Sequence, residues 1–201
     1  MLESLLLEDG SFVLLQPHLM RIRASASYFG FGFFEPEIRR ELNQTIADHS
    51  TGRWKVRLLV SRSGKVRTEA HQLENPGDQL LRVALADLPV DSNDRFLFHK
   101  TTNRTVYDSA LASRPDCDDV ILWNEAGEVT ESTFANVVIS SGDQFCTPPR
   151  SAGLLAGTFR EQLLVERRIV ERPIHREELL AAAEIFLINS VMGWRRATLV
   201  L

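Results

Sequence analysis

Lys100 closes the apolar run Phe96-Leu97-Phe98-His99 and is followed by the small polar residues Thr101-Thr102-Asn103 and then by Arg104. A lysine at the end of a buried strand loses part of its hydration. That lowers its pKa and frees the neutral amine for Schiff-base chemistry. Read alone, it is an ordinary solvated charge. Gly127-Glu128-Val129-Thr130-Glu131-Ser132-Thr133 is a turn leading into a strand that carries an acid between hydroxyl residues. A buried Glu131 needs a cationic or hydrogen-bonding partner, and a protonated pyridine nitrogen would serve, whereas on an edge strand the same glutamate is simply exposed. In Thr147-Pro148-Pro149-Arg150-Ser151-Ala152-Gly153-Leu154-Leu155-Ala156-Gly157-Thr158-Phe159-Arg160 a loop opens directly into a helix. Backbone N–H groups at such a start, backed by the helix dipole, suit a phosphate, although the glycines also read as plain turn residues.

The elements that must position these residues follow from periodicity. Leu5-Leu6-Leu7 and Phe12-Val13-Leu14-Leu15 flank the turn-forming Glu8-Asp9-Gly10-Ser11, so two strands are expected there, the second ended by Pro17. Leu19, Ile22, Ala26 and Phe29 recur at helical spacing over 18–31, and a second helix over 35–49 carries Pro36 in its first turn and is closed by Gly52. Strands follow at 54–61, where Val56, Leu58 and Val60 share one face, and at 80–88 after the Pro76-Gly77 turn. The polar segment Asp91-Ser92-Asn93-Asp94 interrupts the pattern. It divides a small α+β domain (1–90), a linker (91–95) and a larger α/β domain (96–201) that carries Lys100. In the latter, helices are expected at 107–112, 158–168 and 176–183, and strands at 119–123, 136–139, 184–189 and 197–201.

Composition narrows the function classes. With 23 Lys+Arg against 27 Asp+Glu, a net charge of -4 and no basic stripe, nucleic acid is not an expected partner. The two cysteines, Cys117 and Cys146, have neither C-x-x-C nor metal-ligand spacing, so they read as reduced thiols and no metal is expected. No run approaches the roughly 18 apolar residues of a membrane span, and the opening leucines lack the basic flank of a signal peptide. The expectation is a globular protein of the cytoplasm with no membrane partner.

Order and spacing add what the single segments lack. His99-Lys100-Thr101-Thr102-x-Arg104, Leu122-Trp123-Asn124-Glu125-x-Gly127-Glu128-x-Thr130-Glu131-Ser132, Thr147-Pro148-Pro149, Gly153-Leu154-Leu155-x-Gly157 and Ile188-Asn189-Ser190-Val191-x-Gly193-Trp194 stand in register over nearly the whole chain. Together they resemble the class IV aminotransferase family of fold-type-IV pyridoxal-phosphate enzymes, and most closely its aminodeoxychorismate lyase-like branch. The resemblance implies a two-domain α/β (α+β) fold with the cofactor between the domains and Lys100 bearing it as a Schiff base. It also implies that Glu131 pairs with the pyridine nitrogen and keeps the ring an electron sink. Arg21, in His18-Leu19-Met20-Arg21, matches the phosphate-binding arginine, and Thr158, Phe159 and Ser190 match the rest of the phosphate cup, Phe159 through its main-chain N–H alone. Arg57 and Arg104 fall where a member holds a substrate carboxylate, a task that suits a guanidinium fork, although surface ion pairing accounts for either equally well. Tyr107 either approaches the site or is a core aromatic, and His18 and His99 read as structural.

By the same resemblance the reaction is conversion of 4-amino-4-deoxychorismate to 4-aminobenzoate and pyruvate, a step of folate biosynthesis. The partners implied are a small-molecule amine, a second copy in a homodimer, and an aminodeoxychorismate synthase. Class IV amino-group transfer would use the same residues, and a cofactor-binding or subunit-interaction protein without turnover is the alternative outside enzymes. Members carry a further strand pair ahead of residue 1, and their Phe-Glu-Thr-x-Arg pattern reads Leu2-Glu3-Ser4-Leu5-Leu6 here, without the arginine. This shortened front is expected to alter the dimer edge or the substrate pocket rather than cofactor binding.

Overall fold

The computed structural model describes residues 1–74 and 79–200, so the turn expected at Pro76-Gly77 and the terminal Leu201 lie outside the described residues. The chain forms two compact units, Met1–Gly77 with Lys100–Thr102, and Asp78–His99 with Asn103–Leu201. The division therefore precedes the polar segment 91–95, where the sequence suggested a linker, and Lys100 groups with the first unit. The reason is local. Asp91 and Asp94 accept hydrogen bonds from Asn93 N and Phe96 N, and Ser92 is held by Glu125, so this polar stretch is a fastened turn of the second unit.

The first unit is a four-stranded antiparallel sheet with two helices. Its strands are β1 (Leu2–Glu8), β2 (Ser11–Phe12), β3 (Arg53–Val60) and β4 (Val66–Gln72), in the order β2-β1-β3-β4. Alternation sets the face of β3: Val56, Leu58 and Val60 are buried, as their spacing requires. The helices α1 (Leu15–Phe29) and α2 (Glu35–Asp48) supply Leu19, Ile22, Ala26, Ile38 and Leu42 to one apolar core with Leu5, Leu58 and Val60. The strand expected over 12–15 is much shorter. Leu14 sits in the left-handed region at φ 53, which ends the pairing, and α1 begins at Leu15 with Pro17 inside its first turn. The apolar run is explained by Phe12 and Leu15 packing on the core. Strand β4 escaped the sequence reading because VRTEAHQ is polar and only partly buried.

The second unit is a mixed eight-stranded sheet. It contains β5 (Leu81–Leu85), β6 (Asp119–Trp123), β7 (Val129–Ser132), β8 (Asn136–Ser141), β9 (Gln144–Thr147), β10 (Val170–Glu171), β11 (Ile185–Asn189) and β12 (Gly193–Leu199). The order is β10-β9-β8-β11-β12-β5-β6-β7, and a β7–β8 pairing at Glu131 and Asn136 joins the last strand back to the third, closing a ring. The inward apolar face gathers Val83, Ile121, Val137, Ile139 and Leu187. Helices α3 (Arg95–Phe98), α4 (Thr105–Ala112), α5 (Thr158–Val165) and α6 (Arg176–Ala181) lie between the strands in sequence. The run before Lys100 is thus a short helix capped by Asp94 and not a strand. Among the described residues no helix is long and apolar enough to cross a membrane, and no group of His, Cys, Asp and Glu is placed to hold a metal.

Candidate active site

In the first unit, Lys100 is half-buried and its carbonyl accepts a hydrogen bond from Leu2 N at 3.1 Å, which fastens the lysine's backbone to the start of β1. The next residue of β1, Glu3, is almost wholly buried. Arg21 of α1 grips it with two bonds, Nε to Oε1 at 2.8 Å and Nη2 to Oε2 at 2.6 Å, and His18 Nδ1 lies 2.8 Å from Oε2. Burial by itself would raise the Glu3 pKa. The adjacent Arg21 charge and the hydrogen bonds from Arg21 and His18 outweigh it and hold the carboxyl at about 2. Helical spacing puts His18 and Arg21 on one face of α1, so the expected arginine arrives already oriented. Arg57 has a different setting: its Nη1 donates to Glu69 at 2.9 Å across the β3–β4 ladder, and Arg67 joins the same carboxylate. That is the surface ion pairing the sequence left open for it.

In the second unit, Glu131 is buried on β7, and its Oε1 accepts from the Tyr107 hydroxyl at 2.8 Å and from Leu155 N–H at 3.0 Å. Burial first, then the charge of Glu131 and the bond to it, push the Tyr107 phenol far above its ordinary range, so it remains a donor. Arg104, one turn before Tyr107 on the approach to α4, lies with its guanidinium 4.6 Å from that ring's centroid and donates to Thr133 O at 2.5 Å. Burial, and next the charge of Arg150, lower the His99 pKa, which leaves that imidazole neutral near pH 7.

The loop into α5 is positioned by residues that no local pattern singled out. Asn136 Nδ2 donates to Leu155 O at 2.9 Å, so Leu155 is held on both sides, its N–H by the Glu131 carboxylate and its carbonyl by Asn136. Gly157 follows, and a Cβ there would stand 2.1 Å from Asn136 Oδ1. Only glycine lets the chain pass so close and then enter the helix at Thr158 and Phe159. Ser190 lies in the β11–β12 turn, where Asn189 Oδ1 accepts from Val191 N and Met192 N, both at 2.9 Å. Buried Asp119 pins the β7–β8 turn by accepting from Ser132 Oγ, Thr133 N and Thr133 Oγ1. Burial raises the Asp119 pKa against those bonds. Glu3, Asp119, Asn136 and Asn189 were missed as positioning groups. Their only sequence signal was their place inside or beside the quoted motifs.

The donor set fits pyridoxal phosphate, judged by its chemistry. The first unit holds a primary amine at Lys100 and a guanidinium at Arg21 that Glu3 engages, and the second holds a fixed carboxylate at Glu131 and a helix start kept clear by Gly157, groups of the kinds that an amine-reactive, basic and phosphate-bearing heterocycle calls for. The comparisons agree. The profile of the class IV amino-transferase family matches residues 1–200. A Schizosaccharomyces pombe protein named provisionally as an aminodeoxychorismate lyase is 31% identical over 193 residues, covering 92% of this chain and 83% of its own. A crystal structure from Mesorhizobium loti, provisionally an amino-acid aminotransferase, superposes with a TM-score of 0.93 at 32% identity over 99% of this chain and 98% of that one. A Legionella pneumophila structure, provisionally a 4-amino-4-deoxychorismate lyase, superposes with a TM-score of 0.85 at 20% identity over 99% and 82%, a likeness of fold. The mixed α/β architecture, the motifs in register and the full-length match together make this chain a member of the class IV aminotransferase family, the fold-type-IV enzymes that depend on pyridoxal phosphate.

Proposed function

We propose that this enzyme converts 4-amino-4-deoxychorismate to 4-aminobenzoate and pyruvate. The observation that carries the cofactor part is the buried Glu131 carboxylate fixed by Tyr107 and Leu155, an acceptor built to face a protonated heterocycle. The substrate part is supported by the near full-length similarity to the relative of that name. Bound pyridoxal phosphate supplies the electron sink that acidifies the substrate carbon bearing the amine. Lys100 Nζ takes the proton from that carbon, the neighbouring C–O bond breaks, and the enolpyruvyl group leaves as the ring becomes aromatic. Lys100 then returns the proton, and the enol ends as pyruvate. Glu131 keeps the ring nitrogen protonated, Arg21 with Thr158, Phe159 and Ser190 holds the phosphate, and Arg104 receives a substrate carboxylate. Arg57, paired with Glu69 across the β3–β4 ladder, is the second candidate for that last role. Tyr107 is committed to Glu131 and serves the site through that residue.

The same reading makes the protein a cytoplasmic homodimer fed by an aminodeoxychorismate synthase. Amino-group transfer between an amino acid and a 2-keto acid is the second reading, favoured by the similarity to the Mesorhizobium loti protein. The test is reduction of the holoenzyme with borohydride and peptide mapping, then assay with aminodeoxychorismate. A phosphopyridoxyl adduct at Lys100 with equal yields of 4-aminobenzoate and pyruvate supports the lyase. Keto-acid formation from an amino acid, without pyruvate release from aminodeoxychorismate, replaces it with the transferase. Cofactor binding with neither reaction leaves a binding protein without turnover.

A further inference from the structure

We propose that Tyr107 is a positioning residue that fixes the Glu131 carboxylate and so sets how firmly the cofactor's ring nitrogen is held protonated. The inference rests on the reading that Glu131 faces that nitrogen, and it assigns the hydroxyl a task beyond filling the core.

The geometry carries it. The terminal torsion of a glutamate is broad, so a buried carboxylate without fixed donors would rock about it. Here two donors converge on one oxygen, Tyr107 OH at 2.8 Å and Leu155 N–H at 3.0 Å, and both pin Oε1. Both residues of the pair are nearly sealed from solvent, Tyr107 at 7% and Glu131 at 5% exposure. In such surroundings a hydrogen bond to an ionised group is short of competitors. Tyr107 cannot rock either. Arg104 lies over its ring, Thr133 O holds Arg104, and Leu97, Val120 and Leu122 pack around it. Burial and the neighbouring Glu131 push its phenol far above the ordinary tyrosine range, which keeps it a donor to that carboxylate.

The consequence is electrostatic. A carboxylate that accepts two hydrogen bonds is less basic than one that accepts one. Facing a pyridine nitrogen, it leaves the shared proton on nitrogen, and the ring stays cationic. Without the phenol the shared proton moves toward the carboxyl, which weakens the ring's electron demand, and Glu131 loses a fixed donor that places it, which weakens the hold on the ring.

The experiment compares binding of pyridoxal phosphate with binding of its 1-deaza analogue, in which CH replaces the ring nitrogen, for the full chain and for Tyr107→Phe and Glu131→Gln. The ratio of the two dissociation constants isolates the nitrogen. The chain has only two tyrosines, so a fluorinated tyrosine incorporated in a Tyr28→Phe background reports on position 107 alone and makes its phenol a stronger donor. We expect Tyr107→Phe to reduce the preference for pyridoxal phosphate by about tenfold and the fluorinated protein to increase it. Equal weakening toward both compounds, or an unchanged ratio in Tyr107→Phe and the fluorinated protein while Glu131→Gln lowers it, overturns the role of Tyr107 and leaves Glu131 in place. An unchanged ratio in Glu131→Gln overturns the placement of Glu131, and the inference falls with it.

Discussion

Arg21 holds Glu3 by a two-point grip, Nε on one carboxylate oxygen at 2.8 Å and Nη2 on the other at 2.6 Å, and so joins helix α1 to strand β1 beneath the start of the chain. Glu3 is fully buried, and breaking one partner of such a pair costs about 3–5 kcal/mol. Glu3→Gln is expected to lose stability on that order at pH 7. The folded carboxyl titrates at about 2 against 4.5 when unfolded, so its contribution is complete above the unfolded value and disappears as pH falls toward the folded one. Urea denaturation of both proteins from pH 7 to pH 2 checks this. The stability gap should close between about pH 4.5 and pH 2, and a gap independent of pH would show that the ion pair is not its source.

Gly157 is set by steric necessity. An alanine Cβ would meet Asn136 Oδ1 at 2.1 Å, so Gly157→Ala must displace Asn136, the Leu155 peptide or the start of α5, at a cost of about 1–3 kcal/mol. The expected signature is a loss of pyridoxal-phosphate affinity, read by equilibrium titration, larger than the loss of apoprotein stability read by thermal melting. Equal losses would place the strain outside the phosphate cup.

Arg104 combines a fork with a stacked face, and lysine reproduces neither. Arg104→Lys is expected to raise KM for aminodeoxychorismate by about tenfold with a smaller change in kcat. Steady-state kinetics decide it: a fall in kcat at constant KM would mean that Arg104 acts through the Tyr107 ring and not on substrate.

Asp119 anchors the turn that presents Thr133 to Arg104. Asp119→Ala removes the acceptor of Thr133 Oγ1 and leaves Ser132 Oγ and Thr133 N with their second acceptors, Ala135 O and Val120 O, and losing bonds of this kind costs about 2 kcal/mol. A lower urea midpoint with an unchanged slope is the expected result. An unchanged midpoint would assign the turn's stability to the backbone alone.

The elements that carry strong local signals were legible. Alternation at Val56, Leu58 and Val60 gave β3, helical spacing with Pro36 gave α2, and β6 spans the residues its apolar run predicted. Signals of the same kind misled where one residue's backbone overrode them: the left-handed Leu14 turned an apolar run into a helix start, and the Asp94 cap made the run before Lys100 a helix.

What the sequence determined by itself was the family. Lys100, Glu131, Arg21 and the Gly157-Thr158 helix entry sit in linked motifs whose order is a property of the chain. The tertiary structure decided the partners. Tyr107 and Glu131 are 24 residues apart, Asn136 and Leu155 are 19 apart, and Glu3 meets His18 and Arg21 across 15 and 18. Periodicity reports which face of a helix or strand is apolar, a property of neighbours within a turn or two. Which polar atom meets which across a fold depends on how sheets close and helices dock, and that is fixed only when the whole core packs.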